Sequence, residues 1–201
     1  MAEAISLARS ELILGGQKSG KSRRAERLAQ AWLEGGNTHQ AVLIATAQPW
    51  DEEMQARIAR HQADRAVRVP GMRTLEEPRQ LAQAIRAHSR PDTLLVVDCL
   101  TLWLTNWLMP MHPGDVPSSV PNQPPALASI EAVALLLEAI AAAPGPLVLV
   151  GNEIGLGVIP MGAEVRAFVD ALGRLNQQVA QVCERVTLMA AGLPLTLKAA
   201  T

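Results

Sequence analysis

The sequence predicts a single α/β domain over residues 1–201, with a P-loop architecture and a mostly parallel sheet flanked by helices. Strand-like and helix-like segments alternate along the chain. Several of the strand-like segments are continuously apolar and end in a polar residue or glycine, which is typical of strands buried on both faces of a parallel sheet. Residues 15–22 fit the pattern G-x-x-x-x-G-K-[ST] without a gap. We therefore expect ligands to bind beyond the carboxyl ends of the strands.

The first two elements, a strand at 11–15 and a helix at 21–34, flank a phosphate-binding loop. The apolar run Leu12-Ile13-Leu14 supports the strand. Glycines let the loop backbone point successive N–H groups at one anion, while Lys21 reaches the terminal phosphates and the Ser22 hydroxyl binds Mg²⁺. The helix that follows adds its positive dipole end. The expected nucleoside triphosphate site in this loop comprises Gly15, Gly16, Gln17, Lys18, Ser19, Gly20, Lys21 and Ser22.

The second strand, at 41–46, ends in the polar segment Thr46-Ala47-Gln48. In a parallel sheet this segment lies at the same edge as the phosphate-binding loop. The Thr46 hydroxyl and the Gln48 amide are therefore candidates for contact with nucleotide or substrate, although the segment taken alone is only a turn.

The next helix, at 52–64, carries His61 on one stripe with Ile58. A neutral imidazole can attack phosphorus and form a covalent phosphoramidate, and arginines can clamp a triphosphate. Most histidines at such positions are surface or packing residues, so the pattern leaves both interpretations open. The arginines near it in sequence are Arg57, Arg60 and Arg65.

A strand at 66–69, a helix at 75–88 and a strand at 93–98 are expected next. Asp98 ends the last of these strands. In P-loop proteins a carboxylate at such a position holds Mg²⁺, often through water, beside the loop hydroxyl. An acidic residue after a strand can equally cap the following helix, which we expect at 100–108.

The segment 110–125 holds six of the fourteen prolines and separates two helices. It is expected to be a surface loop, and a plain connector is favoured over a functional lid. In the helix at 127–143, Glu131 and Glu138 lie on one side, which indicates an amphipathic helix and not a membrane span.

The last part of the chain is predicted to form a strand at 146–151, a helix at 162–184, a strand at 186–191 and a final strand at 194–198. Polar groups and two glycines at 152–157 follow the first of these strands, which suits close approach to a ligand but also a simple turn. Gly173 in the middle of the helix costs about 1 kcal/mol relative to alanine, which indicates close packing or a ligand nearby.

Composition narrows the class of partner and the compartment. The net charge is −1, the pI is about 6.4 and aromatic residues make up 2% of the chain, so we expect no nucleic-acid partner. Cys99 and Cys183 lie far apart without metal-ligand spacing, which favours free thiols in a reducing compartment. The first residues lack a signal-peptide pattern, so we expect a cytoplasmic location.

Four ordered stretches, from about Glu11 to Lys198, resemble the bifunctional adenosylcobinamide kinase / adenosylcobinamide-phosphate guanylyltransferase family of cobalamin biosynthesis. They are LILGGQKSGKS, IATAQPWDEEMQARIARHQADR, VVDCLTLWLTN, and LVLVGNEIGLGVIP followed by RAFVDALGRLNQ. The phosphate-binding loop alone is shared with many proteins, whereas the series is specific.

The resemblance implies a RecA-like P-loop fold, a homotrimer and two reactions with adenosylcobinamide and then its phosphate as acceptors. ATP or GTP phosphorylates adenosylcobinamide, and GTP then donates GMP through a guanylylated histidine. The family's nucleophile falls on His61, with Lys21 and Mg²⁺ (held by Ser22 and Asp98) acting on the phosphates. Besides the loop, the nucleotide positions implied by the resemblance are Thr46, Ala47, Gln48, Gln62, Ala63, Asp64, Arg65, Glu76 and Asp98.

The sequence departs from the family pattern at three places. Lys18 stands where the family often has Arg, residues 66–72 run a few residues longer, and Met161 stands where the family often has Glu. Lysine keeps the charge of arginine but loses its bidentate contact with phosphate.

Two rival functions stay open at this point. A monofunctional P-loop kinase for another small molecule would phosphorylate its substrate without transferring a guanylyl group. A nucleotide-regulated binding module, such as a RecA-like nucleic-acid partner, is disfavoured by the near-neutral charge and scarce aromatics, and would show salt-dependent DNA binding.

Overall fold

A computed structural model describes residues 6–109 and 125–200. Within these ranges seven strands form one sheet in the order β3-β2-β4-β5-β1-β6-β7. Strands β1 to β6 run parallel, and β7 pairs antiparallel with β6. The strands are β1 (Ser10–Gly15), β2 (Gln40–Ala45), β3 (Arg73–Glu76), β4 (Thr93–Asp98), β5 (Leu147–Val150), β6 (Arg185–Ala190) and β7 (Leu193–Lys198).

Helices cover both faces of this sheet, which confirms the α/β fold expected from the sequence. Alternate residues of β4 divide between two cores: Leu95 and Val97 pack with α3 to α6, whereas Leu94 and Val96 pack with α1. Burial on both faces explains why these strands are continuously apolar. The helices are α1 (Lys21–Glu34), α2 (Glu52–Arg68), α3 (Leu81–His88), α4 (Leu100–Leu108), α5 (Pro125–Ala142) and α6 (Ala163–Val182).

The parallel register brings the ends of four strands to one edge of the sheet. In β4, Asp98 pairs with Ala45 of β2 on one side and with Val150 of β5 on the other. Val150 in turn pairs with Ile13 of β1, just before the phosphate-binding loop. The polar segments that follow these strands are therefore neighbours in space.

The predicted strand at 66–69 is wrong, because residues 66–68 complete α2 and Val69 is its C-cap. Val67 is 83% exposed, whereas Val69 is buried beneath the helix end. Ile58, Arg65 and Val69 lie on one helical stripe, so the inward face of the helix continues past the predicted end. The helix stops at Pro70 and Gly71, and the strand forms later as β3.

The predicted helix at 75–88 begins only at Leu81. Pro78 disfavours a helical conformation for the residue before it. The Glu77 carboxylate accepts a hydrogen bond from the Gln80 backbone N–H at 2.8 Å, which closes a turn ahead of α3. Apart from the end of α2, which lies four residues beyond its predicted end, and β3, the other elements fall within two residues of their predicted bounds.

The proline-rich segment predicted at 110–125 lies outside the described residues except for Pro125, the first residue of α5. Proline suits the first turn of a helix because no intrahelical bond needs its missing N–H. In the part of the chain that the structure describes, no helix has the length and apolar character needed to cross a membrane.

Candidate active site

The phosphate-binding loop has a conformation that requires glycine at two positions. Gly15 has φ 152° and Gly20 has φ 103°. A Cβ at Gly15 would lie 2.5 Å from the Met189 carbonyl oxygen, and one at Gly20 would lie 3.2 Å from Gly192 Cα. The Gly192 N–H also donates to the Ser19 carbonyl at 3.0 Å. The loop is thus seated against the turn between β6 and β7.

The loop residues Gly16, Gln17 and Lys18 are exposed, whereas Lys21 is buried. The Lys21 Nζ donates to the Gly16 carbonyl at 2.6 Å. Burial lowers the pKa of Lys21, Arg57 acts in the same direction, and Asp98 opposes them. A bound phosphate would therefore compensate an ammonium that has already lost much of its water.

Ser22 and Asp98 come together as the metal hypothesis requires. The Ser22 hydroxyl donates to Asp98 Oδ2 at 3.3 Å, which joins the first turn of α1 to the end of β4. The N-cap position of α4 belongs to Cys99, so the alternative role of Asp98 as its cap does not fit. Hydroxyl and carboxylate oxygens are ligands that Mg²⁺ prefers, so these two residues suit that ion.

Thr46 is fully buried and holds β2 to β4. Its hydroxyl donates to the Cys99 carbonyl at 2.7 Å and accepts from the Cys99 N–H at 2.9 Å. Its carbonyl accepts from Asn106 Nδ2 at 2.8 Å. These bonds give the side chain a role in the fold, and its contact with nucleotide stays a prediction. Ala47 and Gln48 follow it and are half-buried.

Helix α2, which carries His61, begins and ends with charges that favour a helix. The carboxylate of Asp51, its N-cap, accepts from the Met54 N–H at 2.7 Å. Acidic residues occupy the first turn and basic residues the last, which complements the helix dipole. Most of the helix surface is exposed, and among its residues only Arg65 is buried.

His61 lies on α2 between two arginines that reach the loop region. Arg57, one turn earlier, acts electrostatically on Lys21. Arg65, one turn later, lines a small crevice together with Ser22 and Asp98. Residues four apart share a helix face, so the exposed imidazole belongs to the stretch of α2 beside the phosphate-binding loop.

The residues after His61 connect α2 to its neighbours. Gln62 Nε2 donates to Glu76 Oε1 at 3.4 Å, which brings two of the predicted nucleotide positions together. Arg65 donates to Thr74 Oγ1 at 3.4 Å. Asp64 pairs with Arg68 on the surface, at 3.1 Å. Such exposed pairs contribute little stability. Ala63 is exposed and has no polar side-chain group.

Residues 152–157 were candidates from the sequence, but their contact with the phosphate-binding loop was not predicted. The Glu153 N–H donates to the Gly15 carbonyl at 3.1 Å. Asn176, from the middle of α6, donates through Nδ2 to the Asn152 carbonyl at 3.1 Å and to Glu153 Oε2 at 3.4 Å. The polar run after β5 was the available signal, whereas the partner on α6 lies too far away in sequence to be inferred.

An open groove continues from this segment along α6. It has a volume of about 550 Å³, and Ile154 is among the residues that line it. Its walls combine exposed apolar residues of the loop, among them Val158 and Ile159, with the charged side chains of α6. The groove therefore offers an amphipathic surface next to the end of β5.

Comparison with solved structures supports the fold alone. A Pyrococcus horikoshii OT3 protein studied as project PH0250 superposes with a TM-score of 0.52 at 10% identity, covering 98% of this chain and 89% of its own. The flagellar accessory protein FlaH of Methanocaldococcus jannaschii gives a TM-score of 0.50 at 10% identity, covering 96% of this chain and 80% of its own.

Sequence relatives are much more similar. The chain is 47% identical over 188 residues to the bifunctional adenosylcobalamin biosynthesis protein CobP of Pseudomonas aeruginosa, covering 94% of this chain and 96% of the relative. It is 35% identical over 187 residues to the corresponding CobU protein of Escherichia coli K12, covering 93% and 98%. The family model for cobinamide kinase / cobinamide phosphate guanyltransferase matches residues 11–197. The chain therefore belongs to the cobinamide kinase / cobinamide phosphate guanyltransferase family of enzymes.

Proposed function

We propose that this enzyme phosphorylates adenosylcobinamide with ATP or GTP and then transfers GMP from GTP to that phosphate, with His61 carrying the guanylyl group. Membership of the family supports the pair of reactions. The observation that carries the assignment of His61 is its place on α2, between Arg57, which acts electrostatically on Lys21, and Arg65, which lines one crevice with Ser22 and Asp98.

The phosphorylation step uses positioning and charge compensation. The loop N–H groups and the Lys21 ammonium would bind the β- and γ-phosphates. Ser22 and Asp98 would hold Mg²⁺, which when bound neutralises negative charge on the transferring group. The hydroxyl of the substrate attacks the γ-phosphorus, and the nucleoside diphosphate leaves.

The guanylyl transfer proceeds in two displacements. A ring nitrogen of His61 attacks the α-phosphorus of GTP, forming a nitrogen–phosphorus bond, while the bond to the bridging oxygen breaks and pyrophosphate leaves. A phosphate oxygen of adenosylcobinamide phosphate then attacks the same phosphorus and releases the histidine. Arg57 and Arg65 would compensate the charge that develops on the phosphoryl oxygens.

The proposed assembly is a homotrimer. Leu193, Leu195 and Leu197 alternate along the edge strand β7 and are each at least 57% exposed. Leu193 and Leu195 share one face of the strand, whereas the register of β7 against β6 shifts at Leu197. An exposed apolar strand edge is unusual for a monomer. A cytoplasmic location and the absence of a nucleic-acid partner stay predictions from composition.

The proposed sequence of reactions is tested by following the products by mass spectrometry. Wild-type enzyme with adenosylcobinamide, GTP and Mg²⁺ should give the phosphate and then adenosylcobinamide-GDP. The His61→Ala variant should stop at the phosphate. His88→Ala is the matched control, because His88 ends α3 near the amino end of β4, away from the loop. If His61→Ala still makes adenosylcobinamide-GDP at the wild-type rate, the carrier role is wrong.

A further inference from the structure

The phosphorylation step releases a proton from the substrate hydroxyl, and the residues assigned above include no acceptor for it. Asp98 is assigned above to Mg²⁺ together with Ser22, Glu76 bonds Gln62 on α2, and Glu77 bonds the backbone ahead of α3. Glu11, although fully buried, lies near the opposite end of β1 and pairs with Arg24. Among the described acidic residues, Asp98 and Glu153 are hydrogen-bonded to the phosphate-binding loop, and of these two Glu153 has no metal role assigned to it.

The backbone after β5 carries Glu153 to this position. The Gly151 N–H donates to the Ile13 carbonyl at 3.0 Å, and the Glu153 N–H donates to the Gly15 carbonyl at 3.1 Å. These two bonds extend the pairing of β5 with β1 up to the first loop residue. Because β5 lies between β1 and β4, Glu153 follows the strand between the loop and Asp98.

The Glu153 carboxylate is held in place without a cationic partner. Oε1 accepts from the Gly155 N–H at 2.9 Å, and Oε2 accepts from Asn176 Nδ2 at 3.4 Å. Within residues 6–109 and 125–200, no lysine or arginine forms an ion pair with it. An ionised carboxylate has about four acceptor sites, so these two bonds leave capacity to accept a proton.

The side chain is half-buried and can be reached from outside. The next residue, Ile154, is among those that line the open groove described above. A substrate whose bulk occupies that groove would lie next to the segment that carries Glu153.

We propose that Glu153 is the base of the phosphorylation step, an inference that rests on the proposed function. As the substrate oxygen bonds to the γ-phosphorus, its proton passes to the Glu153 carboxylate. The bond from phosphorus to the β,γ-bridging oxygen breaks, and the nucleoside diphosphate keeps that electron pair. The proton then leaves to water. Asn176 is a positioning residue, because it holds Glu153 Oε2 and the Asn152 carbonyl together.

The guanylyl transfer does not need this base. Its acceptor is a phosphate monoester, whose second ionisation has a pKa near 6, so an oxygen nucleophile is already ionised at about pH 8. The two reactions of one enzyme therefore provide an internal comparison for Glu153.

The test measures both reactions separately for Glu153→Gln. Phosphorylation of adenosylcobinamide should fall by about 10²-fold or more, with the KM for nucleotide unchanged. Labelling of the protein by GTP and transfer of GMP to adenosylcobinamide phosphate supplied directly should keep the wild-type rate. Glu164→Gln, which removes an exposed carboxylate from the first turn of α6, is the matched control and should keep both rates.

Two results would overturn the assignment: an unchanged phosphorylation rate, or an equal loss of both reactions, which would indicate a structural role beside Gly15. If Glu153→Gln does not melt cooperatively, the same two rates are measured for Glu153→Asp, which keeps the carboxylate but withdraws it by one methylene. Phosphorylation should then fall while GMP transfer keeps the wild-type rate. A wild-type enzyme inactive in both reactions would instead contradict the proposed function itself.

Discussion

The Ser22 hydroxyl donates to Asp98 Oδ2 at 3.3 Å although 76 residues separate them in the chain. This bond joins the phosphate-binding loop to the end of β4, at the edge where the parallel strands present their carboxyl ends. It brings together a hydroxyl and a carboxylate, the oxygen ligands that a magnesium–nucleotide complex uses in P-loop enzymes. If the proposed Mg²⁺ site is correct, the response of the enzyme to Mg²⁺ should depend on both residues.

Ser22→Ala and Asp98→Asn should each raise the Mg²⁺ concentration needed for half-maximal phosphorylation, by about tenfold or more. The reason is that each variant removes one oxygen ligand or its charge. The measurement is the rate of phosphorylation against Mg²⁺ concentration at fixed ATP. Asp92→Asn, at the opposite end of β4, is the control and should leave the curve unchanged. Overlapping curves for all three variants would contradict the role of Ser22 and Asp98 as ligands of Mg²⁺.

Thr46→Val should lower the free energy of unfolding by about 1–3 kcal/mol. The reason is that valine lacks the hydroxyl that accepts from the Cys99 N–H and donates to the Cys99 carbonyl. Thr46→Ser keeps the hydroxyl that bonds both backbone groups of Cys99 and should cost less. Urea unfolding curves of the two variants make the comparison. Equal stabilities would mean that the hydroxyl does not hold β2 to β4.

Gly15→Ala should destabilise the protein, whereas Gly16→Ala should not. A Cβ at Gly15 would meet the Met189 carbonyl at 2.5 Å at a positive φ, while one at Gly16 has no neighbour within 4 Å. The free energy of unfolding of Gly15→Ala should be lower than that of the wild type by about 1–3 kcal/mol or more. Thermal unfolding without nucleotide measures it, and a Gly15→Ala variant as stable as Gly16→Ala would contradict the loop geometry.

Both cysteine thiols should resist modification in the folded protein. Burial raises the pKa of Cys99 to about 11 and that of Cys183 to about 12, so little thiolate is present at pH 8. In the unfolded chain the ordinary value is 9.0. The folded state therefore binds more protons above pH 9, and this contribution to stability is lost as pH rises towards 11 and 12. A disulfide reagent should react only as the chain unfolds in urea, and fast reaction without urea would contradict the burial.

Leu195→Asp should dissociate the proposed trimer. A charge among the exposed leucines of β7 would have to be buried in the subunit contact. Burying a charge is costly when no opposite charge pairs with it. Sedimentation velocity of the wild type and the variant makes the measurement. Gln83→Asp, at an exposed position of α3, controls for a general charge effect. A monomeric wild type would contradict the assembly.

The fold could be predicted from the sequence mainly because its strands are buried on both faces. Continuous apolar runs such as that of β4 have few other interpretations in a chain with a phosphate-binding loop. The wrong strand at 66–69 has a local cause: Ala66 and Val67 are apolar but lie on the exposed side of α2. A largely exposed helix has a weak apolar pattern, so its end could not be found from periodicity.

The site was predictable where local patterns encode it and not where distant residues form it. The loop glycines, Lys21 and Ser22 lie in one pattern. The bond from Asn176 to Glu153 spans 23 residues and crosses from α6 to the end of β5. The two hydrogen bonds between Thr46 and Cys99 join residues 53 apart, so they could not be predicted from the turn after β2 either.

The most direct test of the central claim is to incubate the enzyme with Mg²⁺ and GTP labelled at the α-phosphate, and then to map the label. We expect label on the denatured protein that is lost in acid, survives alkali and maps to the peptide containing His61. His61→Ala should bind nucleotide but carry no label. Absence of covalent label from a wild type that still binds GTP, or label on another residue, would contradict the guanylyl-histidine.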